Sequence, residues 1–124
     1  MEAIVGTLIA TLAVVGLAYS FGLGRGYIDR FEVARVADGV AQARMEYLGI
    51  QAADSPDLAL GSHPGTPIPF VIDGTVMGAE RWSVTIPSST IPGFGSLRRV
   101  TVNVSFRTGA SFDSVSYDRL VAAP

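Results

Sequence analysis

The 124-residue sequence has no cysteine, no lysine and only one histidine. The lack of cysteine excludes disulfide bridges, thiolate metal sites and haem attachment through C-x-x-C-H, so the folded part of the chain must rely on packing. All nine basic residues are arginine, and with eleven acids they give a net charge of −2. The charges are spread evenly, without the basic footprint of a nucleic-acid binder, and we expect no nucleic-acid partner.

Charge is also missing from Ala3 to Leu23, a run of 21 residues. Glu2 stands in front of this run, and no basic residue precedes it. A helix needs about 20 apolar residues to cross the hydrocarbon core of a bilayer. We therefore predict that residues 1–26 form the apolar half of a helix, which crosses a membrane or builds a filament core and ends in a glycine-rich break.

Three interpretations of this opening segment remain open. A cleavable secretory signal has a basic front and a shorter apolar core, so the acidic front and the long run disfavour it. A bitopic anchor would place the rest of the chain in the cytoplasm, because Arg25 and Arg30 follow the run and basic residues tend to stay cytoplasmic. In the third interpretation, a basic leader once preceded Met1, held the N-terminus inside during insertion and was then removed.

The break contains Gly22, Gly24 and Gly26. Each glycine weakens a helix by roughly 1 kcal/mol relative to alanine. One interpretation is close packing of helix backbones, which small residues allow in membranes. The other is a weak point at which the helix melts and stretches. Glycine serves both purposes, so both interpretations stand.

A second helical pattern covers residues 27–53. Apolar side chains recur there at steps of three and four, which indicates one face of a helix. This stripe consists of Tyr27, Phe31, Ala34, Ala37, Ala41, Met45 and Leu48. On the opposite side, Arg35 is spaced to meet Glu32 or Asp38. We predict a helix that runs to about residue 52, with Gly49 or the Asp54-Ser55-Pro56 turn as its stop.

Residues 54–124, called the head below, alternate between loop and strand patterns. Period-two alternation predicts strands at residues 67–72, 81–86, 99–106 and 114–121, and loops at 54–66 and 87–97. Such strands form a half-buried antiparallel sheet. Trp82, Val102 and Val104 point to its apolar face, and the helical stripe is the available cover. The predicted class is therefore α+β, a long N-terminal helix packed on a small antiparallel sheet.

Catalytic patterns are lacking. His63 lies alone in a Gly/Pro loop, and a single histidine does not make a metal site. There is no nucleophile-elbow motif, and the glycines at 22–26 are not followed by the Lys-Ser/Thr of a phosphate loop. We expect neither an enzyme nor a cofactor.

Taken together, these segments resemble the type IV pilins and pseudopilins. The resemblance rests on the uncharged N-terminal run with an early glutamate, on the helical stretch RFEVARVADGVAQARMEYL, and on the strand stretches ERWSVTIP and LRRVTVNVSFRTG...SVSYDRLV. It covers nearly the whole chain through loose patterns. It implies a subunit whose helix packs with identical copies in the core of an extracellular filament, with the heads outside.

The resemblance also implies a leader cut by a prepilin peptidase, a methylated N-terminus, residence in the inner membrane before assembly, and a pilus assembly machinery. It assigns Met1 and Glu2 to assembly and Gly22–Gly26 to helix melting. Two features differ from the family pattern: Glu2 stands second rather than fifth, and the cysteine pair of many pilins is missing. Two alternatives remain, a minor pseudopilin that primes a pilus or a type II secretion machine, and a bitopic membrane protein with a small binding head.

Overall fold

The computed structural model of the chain describes residues 2–87 and 97–122. Within these ranges one helix is followed by a short 3₁₀ turn and four strands. The elements are α1 (Glu2–Gly49), the 3₁₀ turn (Pro56–Leu58), β1 (Gly61–Ile72), β2 (Thr75–Thr85), β3 (Leu97–Thr108) and β4 (Ser111–Ala122). The predicted α+β class is confirmed.

Two compact units make up the chain, residues 1–32 and residues 33–124. The described part of the first unit is helical throughout. The second unit holds the rest of α1 and the whole sheet, and it contains all the buried core residues.

The sheet is an antiparallel meander with strand order β1-β2-β3-β4, so β1 and β4 are its edges. Asp73 and Gly74 connect β1 to β2 and both have positive φ, 48° and 77°. This is the two-residue hairpin conformation that asparagine, aspartate and glycine favour, because its twist matches that of the flanking strands. Across the centre of the sheet Trp82 pairs with Val102, and Val102 pairs with Tyr117.

The predicted strands are all present but longer than the sequence pattern indicated. The largest correction concerns the predicted loop at 54–66, because β1 already begins at Gly61. Gly61 and His63 pair with Val84 and Trp82, and the register then shifts before Ile68. Polar and proline residues on this edge strand hide the alternation that identifies a strand. Most of the predicted loop at 87–97 lies outside the described residues.

The core lies between the end of α1 and one face of the sheet. The helix contributes Ala37, Ala41, Met45 and Leu48, and the turn and strands contribute Leu58, Phe70, Trp82, Val84, Val100, Val102, Val104 and Phe106. Ala34 is half-buried against this cluster. Ala37 and Ala41 are fully buried, and their small side chains allow close packing of the helix on the sheet.

The predicted packing stripe is wrong at its N-terminal end. Tyr27 and Phe31 belong to the first unit, and their side chains are 59% and 74% exposed. The apolar contribution to the core begins only at Val33. The sequence period shows which face of the helix is apolar. It does not show at which residue along the helix this face begins to contribute to the core.

Candidate functional site

The most unusual surface of the chain is the apolar segment, residues 3–23 of α1. Its large hydrophobic side chains, from Ile4 to Leu23, are 49–72% exposed. A soluble protein rarely leaves a contiguous apolar surface of this extent uncovered, and such surfaces mark sites of association with lipid or protein. The segment is long and apolar enough, by length and composition, to cross a membrane.

Apolar side chains surround this helix on every side. Leu12, Val14, Val15 and Leu17 point in different directions at 100° per residue, and all are more than 60% exposed. An amphipathic surface helix would keep one face polar, whereas a helix that is apolar all round belongs in an apolar environment. The segment therefore requires lipid or other helices around its circumference.

The polar atoms of the segment fit such an environment. The Thr7 hydroxyl donates to the carbonyl of Ala3 at 3.0 Å, and the Thr11 hydroxyl donates to the carbonyl of Thr7 at 2.7 Å. These side chains therefore need no partner from outside the helix. Glu2, directly before the segment, has an exposed carboxylate in the first helical turn, where the helix dipole favours negative charge. Met1, which the resemblance to pilins assigns to assembly together with Glu2, lies outside the described residues.

The glycine-rich stretch lies within the same helix. Gly22, Gly24 and Gly26 are helical, and a Cβ added at any of them would meet no atom within 4 Å. Among residues 2–87 and 97–122, no contact requires glycine at these three positions. The predicted melting concerns the helix in an assembled filament, and it stays a prediction.

The second unit holds an ion pair that was not predicted from the sequence. Arg44 of α1 donates from Nε to Glu80 of β2, and its Nη2 lies 3.4 Å from the second carboxylate oxygen. Glu80 is only 4% exposed although it points to the apolar face of the sheet. The hydrogen bond to Glu80 raises the pKa of Arg44 above its ordinary value, against the opposing effect of burial. Arg44 therefore stays charged and compensates the buried carboxylate.

Aromatic side chains surround this pair. The Arg44 guanidinium lies 5.0 Å from the ring centre of Trp82 and 5.6 Å from that of Tyr47. The Trp82 indole N–H donates to the carbonyl of Asp57 at 3.0 Å, and the ring of His63 stacks on Trp82 at 6.1 Å. His63 thus has a packing role, and the cluster joins α1, the 3₁₀ turn and two strands.

A second polar contact ties the helix to the other edge of the sheet. The Tyr117 hydroxyl of β4 donates to Asp38, and the Gln42 amide donates to the same carboxylate at 3.1 Å. Asp38 was predicted to pair with Arg35 on the helix surface. Within residues 2–87 and 97–122, however, Arg44–Glu80 is the only ion pair within 4 Å, so Arg35 pairs with neither Asp38 nor Glu32.

One sequence signal could have revealed the Arg44–Glu80 pair. Glu80 precedes Trp82 and Val84 at period two, which places a charge on the apolar face of its strand. Arg44 directly precedes Met45 of the apolar stripe. A buried charge requires an opposite charge nearby. An acid on the apolar face of the strand and an arginine beside the apolar stripe of the helix therefore predict an ion pair between the two elements.

Comparison of the chain with protein-family models, curated proteins and solved structures gives no match. The functional argument therefore depends on the chain itself, chiefly on the exposed apolar segment.

Proposed function

We propose that the chain is a structural subunit of an extracellular type IV pilus-like filament. In this proposal the apolar segments of many copies pack against one another in the filament core, and the heads form the outer surface. Before assembly the segment anchors the subunit in the inner membrane, and a prepilin peptidase and a pilus assembly machinery act on it. These last steps come from the resemblance to pilins.

The observation that supports this proposal most is the exposed apolar segment on a chain whose second unit already has its own core. The core draws its helical residues from Ala37 to Leu48, and none of its members comes from residues 3–23. Burial stabilises by about 25 cal/mol per Å² of apolar surface, so the segment carries a large driving force for association. The apolar segment needs apolar contacts around its whole circumference, and identical helices packed around it provide them.

Glu2 is the only charged side chain that such a core would contain near its N-terminus. An unpaired carboxylate in an apolar environment is costly, and the cost falls when an opposite charge is adjacent. In this proposal the peptidase leaves Met1 as the first residue, and its amine, from the same subunit or a neighbouring one, is the cation that every copy supplies. We therefore assign Glu2 the role of neutralising a terminal amine in the assembled filament.

The variant Glu2→Ala should assemble poorly while its head stays folded. Breaking a buried ion pair costs about 3 kcal/mol or more, so we expect at least about a tenfold loss of filaments. The measurement is the amount of subunit in filaments sheared from the cell surface, seen by electron microscopy and identified by sequencing the main component. Glu46→Ala is the matched control, because Glu46 is an exposed acid of the same helix.

Normal assembly of Glu2→Ala would reject the charge-pairing role alone. Sheared filaments built from another protein, with this chain left in the membrane, would reject the structural-subunit proposal. A few copies per filament would instead favour the minor pseudopilin.

A bitopic membrane protein with a cytoplasmic head is the second candidate, and the position of the arginines favours it. Arg25 and Arg30 follow the apolar segment, and the acid Glu2 precedes it. Basic residues flanking a span tend to stay in the cytoplasm. The two candidates place the head on opposite sides of the membrane, which makes the sidedness of the head the deciding property.

Sidedness is measurable because the chain has no cysteine. Ser62→Cys introduces a single thiol on the exposed surface of β1. With spheroplasts, a membrane-impermeant maleimide should label this thiol before lysis if the head is exported. Labelling that requires lysis would reject the filament proposal and support the bitopic protein. Wild-type protein, which has no thiol, is the control for background.

A further inference from the structure

The two edges of the sheet differ in their protection against strand addition. Edge strands expose unpaired backbone groups, and proteins blunt them with proline, irregular pairing or charge. β1 carries Pro64, Pro67 and Pro69 and has two register irregularities. β4 runs for 12 residues without proline, and its register with β3 is continuous from Leu97–Ala122 to Thr108–Ser111. Among the described residues, no strand pairs with the outer edge of β4.

The side chains along β4 are self-complementary about Ser116. If a second β4 lies antiparallel with the two Ser116 residues opposite each other, Asp113 faces Arg119 of the second copy, and Phe112 faces Leu120. Both hydrophobic side chains are exposed, Phe112 at 78% and Leu120 at 49%. The remaining pairs within β4 are Ser111 with Val121, Ser114 with Asp118 and Val115 with Tyr117. Opposite charges and apolar pairs placed across strands stabilise a sheet, and this register has no like-charge pair.

Neighbouring registers lose this match. A twofold axis perpendicular to the sheet keeps the same face of both strands on the same side. The axis must then pass through a residue, and each neighbouring register is obtained by moving the axis to the next residue. With the centre at Val115, Phe112 faces Asp118 and the charge pair is lost. With the centre at Tyr117, Val115 faces Arg119 and Ser114 faces Leu120. Only the centre at Ser116 satisfies both the charged and the apolar side chains.

We infer that the β4 edge is an interaction surface for a second copy of this chain, which adds antiparallel with Ser116 at the twofold axis. The two sheets become one continuous sheet. Its register is set by two Phe112–Leu120 contacts on one face and two Asp113–Arg119 ion pairs on the other. This contact uses only the head, so it goes beyond the proposed filament core and does not depend on it.

Cysteine cross-linking of the full chain in detergent tests the register. Residues opposite each other in an antiparallel pair have Cα atoms about 4.5–5.5 Å apart, which is within disulfide range. Ser116→Cys should therefore give a reducible product of twice the 13.0 kDa chain mass after mild oxidation. Ser114→Cys is the matched control on the same strand and face, because its two copies would lie more than about 13 Å apart. Ser62→Cys on β1 controls for contact through the other edge.

Charge exchange tests the chemistry of the same contact. In the Ser116→Cys background, Arg119→Asp places two aspartates opposite each other and should lower the cross-linking yield about fivefold. Adding Asp113→Arg should restore the yield. Cross-linking confined to Ser116→Cys, with this loss and recovery, supports the inference. Equal yields at positions 114 and 116, no product at 116, or no recovery in the double exchange overturns it.

Discussion

Gly78→Ala is expected to disrupt the sheet. A Cβ at position 78 of β2 would lie 1.8 Å from the carbonyl oxygen of Ser105 and 2.7 Å from the Cα of Phe106. Both atoms belong to the backbone of β3, which pairs with Gly78 in the ladder, so no side chain can move aside to make room. The strands must separate at this point, next to the buried ring of Phe106.

We expect this variant to lose about 2–3 kcal/mol of stability or more, as overpacking of a rigid site does. For a domain of this size the melting temperature should fall by at least about 10 °C. The measurement is thermal unfolding followed through the fluorescence of Trp82, the only tryptophan, which is 5% exposed in the core.

Gly39→Ala is the control for the change from glycine to alanine. Gly39 is exposed on α1, and a Cβ there meets no atom of the described part of the chain within 4 Å. Alanine is favoured over glycine in a helix by up to about 1 kcal/mol, so this variant should be at least as stable as the wild type. An equal melting temperature for Gly78→Ala and Gly39→Ala would show that the β2–β3 approach is looser than the structure indicates.

The sequence predicted those parts of the fold that repeat with a local period. Val100, Val102, Val104 and Phe106 alternate with polar residues, and they occupy the buried face of β3 as expected. The helical stripe likewise gave the buried face of α1 between Ala37 and Leu48. These patterns are readable because each depends only on residues a few positions apart.

The features that escaped prediction depend on contacts between distant residues. Arg44 and Glu80 are 36 positions apart, and Asp38 and Tyr117 are 79 apart. A local period can place each residue on a face of its own element, but it does not show which distant residue it contacts. The start of β1 at Gly61 depends on its pairing with β2 rather than on its own polar sequence. The apolar segment was the easiest site to predict, because it is defined by the lack of charge over 21 residues.

The buried ion pair explains how the helix is fixed on the sheet, and Arg44→Met should weaken that attachment. The variant keeps a long apolar stem but leaves the carboxylate of Glu80 without its cation. Removal of one partner of a buried ion pair costs about 3 kcal/mol or more. The loss of the guanidinium above the ring of Trp82 adds about 0.5–1 kcal/mol. We expect a fall of that combined size in the free energy of unfolding, measured by denaturant titration with circular dichroism.

The double variant Arg44→Met, Glu80→Met separates an unpaired charge from lost packing. Replacing both members of a buried ion pair by apolar side chains is often close to neutral, so the double variant should recover most of the stability that Arg44→Met loses. Arg81→Met is the matched control, because Arg81 is the exposed neighbour of Glu80 on the opposite face of β2, and its replacement should change stability by less than about 0.5 kcal/mol. If Arg44→Met is as mild as Arg81→Met, the ion pair does not hold the helix. If the double variant is less stable than Arg44→Met, Glu80 contributes through contacts other than its pairing with Arg44.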